Sequence, residues 1–241
     1  MKIGTTDENK AIISDFKKMD SRIKIIENKE NIGLIGSLNK AINSINTKYI
    51  ARMDSDDISD EKRLEKEFEF LENNTQYALV GSRANYMNKD GIYKTSQFYG
   101  EVKLDILIRF CVFFHPSILI KTDILKQLNG YEEYIRNEDY ALYLKLYYLG
   151  YKGYVLNDIL LNYRQDIKSF KRKIYRDRIV EFKVRKKYLK LLEIKYPKRI
   201  LYTIKPLVVG GIPNKVMYIY KKIKKEKKWK KLKLILLIFG I

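Results

Sequence analysis

The sequence predicts an α/β domain, a layered and mostly parallel sheet flanked by helices, with a basic helical C-terminal extension. Three observations predict it. Helical and strand patterns alternate through the front half. Apolar residues make up 46% of the 241 residues, enough to build a core. The net charge of +20 sits at one end, since residues 171–241 carry 24 Lys and Arg against four acids (Asp177, Glu181, Glu193 and Glu226). Residues 1–170 are therefore neutral, and the chain divides into a domain over 1–170 and a basic, amphipathic tail over 171–241.

The elements follow in order. Glu8 to Met19 reads as a helix with Ile12, Ile13 and Phe16 on one side. Arg22 to Glu27 reads as a strand. Gly33 to Ile45 reads as a helix, with Leu34, Leu38, Ala41, Ile42 and Ile45 at helical spacing. Lys48 to Met53 reads as a strand. Glu61 to Glu72 reads as a charged helix that buries Leu64, Phe68 and Leu71. Ala78 to Val80 reads as a strand, and Asn88-Lys-Asp-Gly91 is a turn signal. A helix over Val102 to Phe110, a strand through His115 to Ile120 and a helix over Asp139 to Leu149 follow. Tyr154 to Asn157 and Leu160 to Arg164 read as two further strands. Basic helices begin near Ser169.

Some functions are excluded. Cys111 is the single cysteine and His115 the single histidine, so neither a disulfide framework nor a Cys- or His-rich metal site is available. Met1 to Lys10 has no apolar core of the secretory-signal kind, and no run reaches the roughly 20 apolar residues that span a bilayer. The basic end holds a short apolar piece (Leu234 to Ile241) behind a lysine-rich stretch with Trp229. That pairing predicts peripheral contact with an anionic membrane surface. Solvated lysines on packed helices are the alternative, and no nucleic-acid module motif accompanies the charge.

Two acidic features carry chemistry. In Ala51-Arg-Met-Asp-Ser-Asp-Asp57 an apolar strand ends in three carboxylates, Asp54, Asp56 and Asp57. Like charges so close repel unless a cation or donors neutralise them. In open α/β sheets ligands bind beyond the carboxyl ends of strands, where this cluster falls. It suits a hard divalent ion gripping a diphosphate, or else a turn that caps the next helix. In Asn137-Glu-Asp-Tyr140 a helix begins, and there either Asp139 is an N-cap or one of Glu138 and Asp139 is a general base.

Taken together, these segments resemble a family-2 glycosyltransferase with a GT-A (Rossmann-like) fold. Asn31-Ile-Gly-Leu with Ser37-Leu-Asn39 resembles the family's Asn-x-Gly…Asn segment. Asp54-Ser-Asp56 resembles its metal-binding Asp-x-Asp, and Arg63 also fits. His115-Pro-Ser117, Gly130-Tyr131 followed by Glu138-Asp-Tyr-Ala-Leu142, and Tyr163-Arg164 with Ser169 resemble its later segments. The resemblance implies Mn²⁺ or Mg²⁺ held by Asp56, with Asp54 on the ribose or the metal. It implies Asp139 as the base of an inverting displacement, with Glu138 and Arg164 supporting the acceptor side or the diphosphate. Asn31, Asn39 and His115 fall on the substrate-binding side, His115 with a structural role as its alternative. The partners implied are a nucleotide sugar, expected to be a UDP-sugar, and a lipid-linked glycan acceptor at the cytoplasmic membrane face, in surface polysaccharide synthesis. Ile3-Gly-Thr-Thr-Asp7 resembles the remainder of an Asp-Asp-Gly-Ser-Thr-Asp motif, so the family's first strands, which hold the uracil, are expected to be missing. That gap leaves a non-catalytic, membrane-associated glycosyltransferase-like fragment as the alternative.

Overall fold

The computed structural model describes residues 7–165 and 175–211. The readings on Ile3 to Thr6, Ser169 and residues 213–241 lie outside them. The elements in chain order are helix α1 (Asp7–Met19), α2 (Gly33–Ser44), strand β1 (Tyr49–Ala51), β2 (Ile58–Ser59), α3 (Arg63–Asn73), β3 (Leu79–Asn88), β4 (Gly91–Thr95) and β5 (Gly100–Glu101). Then come α4 (Leu104–Arg109), a 3₁₀ turn (His115–Ser117), β6 (Leu119–Lys121), α5 (Thr122–Gln127), α6 (Glu138–Tyr148), β7 (Gly153–Arg164), α7 (Tyr175–Leu191) and α8 (Lys198–Gly211).

The α/β layering is as predicted, but the sheet is mixed rather than mostly parallel. Its order is β1-β6-β3-β7-β2, with β4 beside β3 and β5 beside β7. Among the described residues only β3 and β7 run parallel; the other ladders are antiparallel. The reason is connectivity. β4 returns from β3 through the tight turn at Asn88–Gly91, which enforces an antiparallel pair. The segment Arg22 to Glu27, expected to add a strand, joins no ladder and is largely exposed. A strand-like pattern needs a neighbour before it becomes a strand. The two strands expected near residues 154–164 are one strand, β7, interrupted by a bulge. The polar pair Asn157-Asp158 that reads as a break is the bulge, because Leu156 pairs with Ser82 and Ile159 with Arg83.

The main core lies between the sheet and α4 to α7. It includes Leu79, Ile120, Leu142 and Leu144, all at most 1% exposed. Burying each such side chain stabilises the fold by about 1.5–3 kcal/mol. Val184, Tyr188 and Leu189 of α7 and Tyr202 of α8 belong to the same core, so these basic helices pack on the domain. Buried Arg185 reinforces this by donating to the Ile108 carbonyl at 2.6 Å.

Helix α3 is turned away from its expected face. Leu71 is buried as expected, but Leu64 and Phe68 are about half exposed. Arg63 and Glu67 occupy the inward positions instead. The cause is local: the Arg63 guanidinium satisfies backbone carbonyls beneath the helix, at Arg52 (3.2 Å) and Pro116 (2.9 Å).

Candidate active site

The acidic cluster sits where β1 ends. β1 runs on into Arg52, whose N–H donates to the Ile118 carbonyl at 3.0 Å, and the chain then turns, Asp57 N–H to Asp54 carbonyl at 3.4 Å. The C-terminal end of β7 clamps this turn. Arg164 donates its backbone N–H to Asp57 Oδ1 at 2.7 Å and its Nε to the Asp56 carbonyl at 2.8 Å. From below, Arg63 holds the Arg52 carbonyl and the Ser59 hydroxyl. None of the three aspartates caps α3; the side-chain bond at its start comes from Asp60, whose Oδ1 accepts the Lys62 N–H at 2.9 Å. That removes the capping alternative for them.

Carboxylate oxygens of Asp54, Asp56 and Asp57 lie within 4.8 Å of one another. Arg52 pairs with Asp54. Burial, joined by the negative charges of Asp56 and Asp54, pushes Asp57 up to about 6, although the Arg164 N–H opposes it. Its Oδ2 is buried without a hydrogen-bond partner among the described residues. An all-oxygen donor set with an orphaned buried carboxylate oxygen fits a hard divalent cation, which would relieve both the repulsion and the orphan.

The second acidic pair arrives at the start of α6. Asn137 occupies the N-cap position and makes no side-chain cap bond; its amide nitrogen donates instead to the Asp177 carbonyl at 3.3 Å. Asp139 lies inside the first turn, so it is not the N-cap. Its Oδ1 accepts the Tyr140 N–H at 2.7 Å. Burial first, then the neighbouring Glu138 charge, raises Asp139 to about 6. Glu138 is buried, which raises it too, and its Oε2 has no hydrogen-bond partner among the described residues.

Asp54, Asp56, Arg136, Asn137, Tyr163 and Arg164 line one groove of about 420 Å³, closed on its far side by Asp177, Arg178 and Glu181 of α7. The groove therefore brings Asp54 and Asp56 beside Asn137, the residue before the second acidic pair; Asp57, Glu138 and Asp139 lie outside its lining, although the Arg52 charge acts on all three. The other expected site residues stand apart from its lining. Asn39 spends both amide atoms on the Tyr131 backbone, donating to its carbonyl at 2.9 Å and accepting its N–H at 2.8 Å. Asn31 accepts the Gly33 N–H at 2.9 Å at the start of α2. His115 is buried, and its Nε2 pairs with the Tyr131 hydroxyl at 2.7 Å. Burial and the Arg52 charge lower the His115 ring to about 3, so it is neutral at physiological pH.

Several site residues escape sequence reasoning. Arg52 faces the acids from the strand end, and its adjacency to the Asp cluster is the only signal. Tyr131 joins Asn39 to His115, yet it is one of 20 tyrosines. Arg136 reaches Asp177 at 3.0 Å from a left-handed backbone (φ 65°), a strained conformation for a non-glycine residue. Asp177 and Glu181 read only as minor acids in a basic helix.

Comparison with known proteins decides the family. Residues 4–145 match the family model described as glycosyl transferase family 2. The chain belongs to glycosyltransferase family 2. This family member is 32% identical to a glycosyltransferase of Methanocaldococcus jannaschii over 158 residues, 64% of this chain and 54% of that protein. It is 32% identical to the glycosyltransferase EpsE of Bacillus subtilis over 207 residues, 83% of this chain and 73% of EpsE. It is 31% identical to the O-antigen biosynthesis glycosyltransferase WbnJ of Escherichia coli over 163 residues, 65% of this chain and 63% of WbnJ. The chain thus spans about half the length of the first of these relatives. Among solved structures, its fold matches TarS of S. aureus in complex with UDP-GlcNAc, with a TM-score of 0.63 at 16% identity, covering 84% of this chain and 60% of that one. It also matches the mannosyltransferase PcManGT of Pyrobaculum calidifontis in complex with GDP-Man and Mn²⁺, with a TM-score of 0.56 at 13% identity, over 98% of this chain and 72% of that one. The α/β glycosyltransferase fold is therefore shared.

Proposed function

We propose that this family-2 glycosyltransferase moves a sugar from a nucleotide sugar, a UDP-sugar by preference, to a lipid-linked glycan acceptor, with inversion at the anomeric carbon. The observation that carries it is the Asp54, Asp56 and Asp57 carboxylate cluster at a groove that Asn137 shares, with the Arg52 charge acting on both Asp57 and the neighbouring Glu138 and Asp139. The setting is surface polysaccharide synthesis at the cytoplasmic membrane face. The descriptions of EpsE and WbnJ support the reaction class, and the ligands of TarS and PcManGT support the donor class.

Asp56 and Asp54 would hold Mn²⁺ or Mg²⁺, and such an ion neutralises the charge of a leaving diphosphate. Arg52 pairs with Asp54 and aims it, and Arg164 fixes the loop while presenting the rest of its guanidinium to the groove. Asp139 takes the proton of the acceptor hydroxyl. That oxygen then forms a bond to the anomeric carbon, while the bond from this carbon to the diphosphate breaks and the electron pair leaves with the diphosphate. Glu138, buried beside Asp139, tunes its basicity. Asn39 and His115 act through Tyr131, holding the Gly130-Tyr131 turn that precedes α6. Asn31 shapes the entry to α2.

Asp139→Asn should lower transfer by about 100-fold or more, the usual contribution of a general base, with thermal stability unchanged. Retained transfer would remove Asp139 from the role. A second reading, a membrane-associated glycosyltransferase-like chain without catalysis, is favoured by one observation. Among the described residues, β1 pairs on one side only, so the edge beside the cluster has no strand next to it.

A further inference from the structure

Helix α8 is apolar on both its inward and its outward face, and its inward face holds a buried lysine. Its inward face buries Tyr202, Lys205 and Pro206. The Lys205 ammonium donates to the Arg109 carbonyl at 2.7 Å and lies 4.6 Å from the Phe110 ring centre. Its outward face carries Ile200 (47% exposed), Ile204 (36%) and Val208 (38%). Residues four apart lie on one helix face, so these three form a continuous aliphatic stripe. Scattered exposed aliphatics are ordinary, but a stripe that displaces a lysine into the interior is not scatter.

The surroundings of the stripe identify what it meets. At its head Tyr196 is 63% exposed, with the Arg199 guanidinium 4.4 Å from its ring centre. Lys195 and Lys198 are exposed beside them. From Lys186 to Gly211 there are seven Lys and Arg and a single acid, Glu193. Residues 212–241, which follow directly, have ten lysines and one acid, Glu226. An aliphatic stripe headed by an aromatic ring and cations is the composition of a helix lying in a membrane interface, where an amphipathic ring sits at headgroup level. The charge complements an anionic surface. No helix among the described residues is long and apolar enough to cross a membrane, so contact lies in the plane.

We propose that α8 is a docking surface for an anionic lipid bilayer. Ile200, Ile204 and Val208 enter the headgroup boundary, while Tyr196, Lys198 and Arg199 stay at the interface. This deepens the reading that the acceptor is membrane-borne, and it rests on that reading for its purpose.

The test is flotation of the full chain with vesicles of phosphatidylglycerol and phosphatidylcholine, against phosphatidylcholine alone. The wild type should float with the anionic vesicles. Ile200→Asn/Ile204→Asn should weaken that partition by about tenfold. Ile204→Leu should retain it, and both variants should keep the wild-type melting temperature, since these side chains face outward. A double variant that melts early is replaced by the single Ile204→Asn, which must show the same direction of change. Undiminished flotation of the outward-face variants overturns the docking surface but leaves a peripheral location standing. Failure of the wild type to float overturns both. A dimer in solution that Ile204→Asn dissolves, with vesicle binding unchanged, assigns the stripe to a second copy and also overturns the proposal.

Discussion

Asp139 lies between opposing influences. Burial and the Glu138 charge favour its neutral form, while the Tyr140 N–H favours the carboxylate. Only the carboxylate accepts a proton. With Asp139 near 6, transfer should climb as pH rises from about 5 to about 7 and then level off, which a pH–rate profile reads directly. Glu67 shows the same physics without a reaction to serve. It is fully buried, burial pushes it up to about 8 against the opposing charge of Arg63, and the Arg63 contact is long at 3.9 Å. Its folded value lies above its unfolded one, so the folded state binds the extra proton between about 4.5 and 8, and stability falls as pH rises through that window. Glu67→Gln imitates the protonated form. It should raise stability at pH 8 by more than about 1 kcal/mol and change little near pH 5, as urea titrations at the two values would show. A loss at pH 8 would mean that the Arg63 pair outweighs the burial. At this scale the aspartates were legible, because clustered like charges demand an explanation. Tyr131 was not, since its role comes from distant Asn39, and Arg52 was only partly legible, since beyond its neighbour Asp54 its charge acts on distant Glu138 and Asp139.

The turn before α6 shows how elements set the site. Gly130 has φ 63°, and a Cβ there would stand 2.3 Å from Asn39 Oδ1. Asn39 on α2 is thereby locked against the Tyr131 backbone, and Tyr131 in turn holds His115. Gly130→Ala should cost roughly 1–3 kcal/mol, combining the strain of a positive φ with displacement of Asn39. Denaturant unfolding measures it; a change within about 0.5 kcal/mol, the usual range for neutral surface substitutions, would contradict the clamp. Most helices were legible from apolar periodicity, which survives without tertiary context. The faces of α1 and α3 were not. Ile12, Ile13 and Phe16 are exposed on α1, and α3 turns inward the Arg63 that its loop carbonyls require. Periodicity reports an apolar side, not what stands opposite it. The segment Arg22 to Glu27 failed for the same reason, because a strand exists only with a partner.

Across the whole molecule, the charge boundary near residue 170 does not divide the core. α7 carries Val184, Tyr188 and Leu189 into the common core, and Asp177, Arg178 and Glu181 into the groove. The basic end thus begins by closing the site and then presents α8 outward. Fold class was legible because layering follows from alternating elements. Strand direction was not, because β2 and β5 are two-residue pairings that carry no periodicity of their own. On the proposed function, the end of β1 forms a cation-dependent diphosphate site at Asp54 and Asp56. Calorimetry of the 241-residue chain with UDP, with and without Mn²⁺, tests it most directly. UDP binding should require Mn²⁺ and be lost in Asp56→Ala. UDP binding indifferent to the ion or to Asp56→Ala would contradict it, and no Mn²⁺-dependent binding at all would favour the non-catalytic reading.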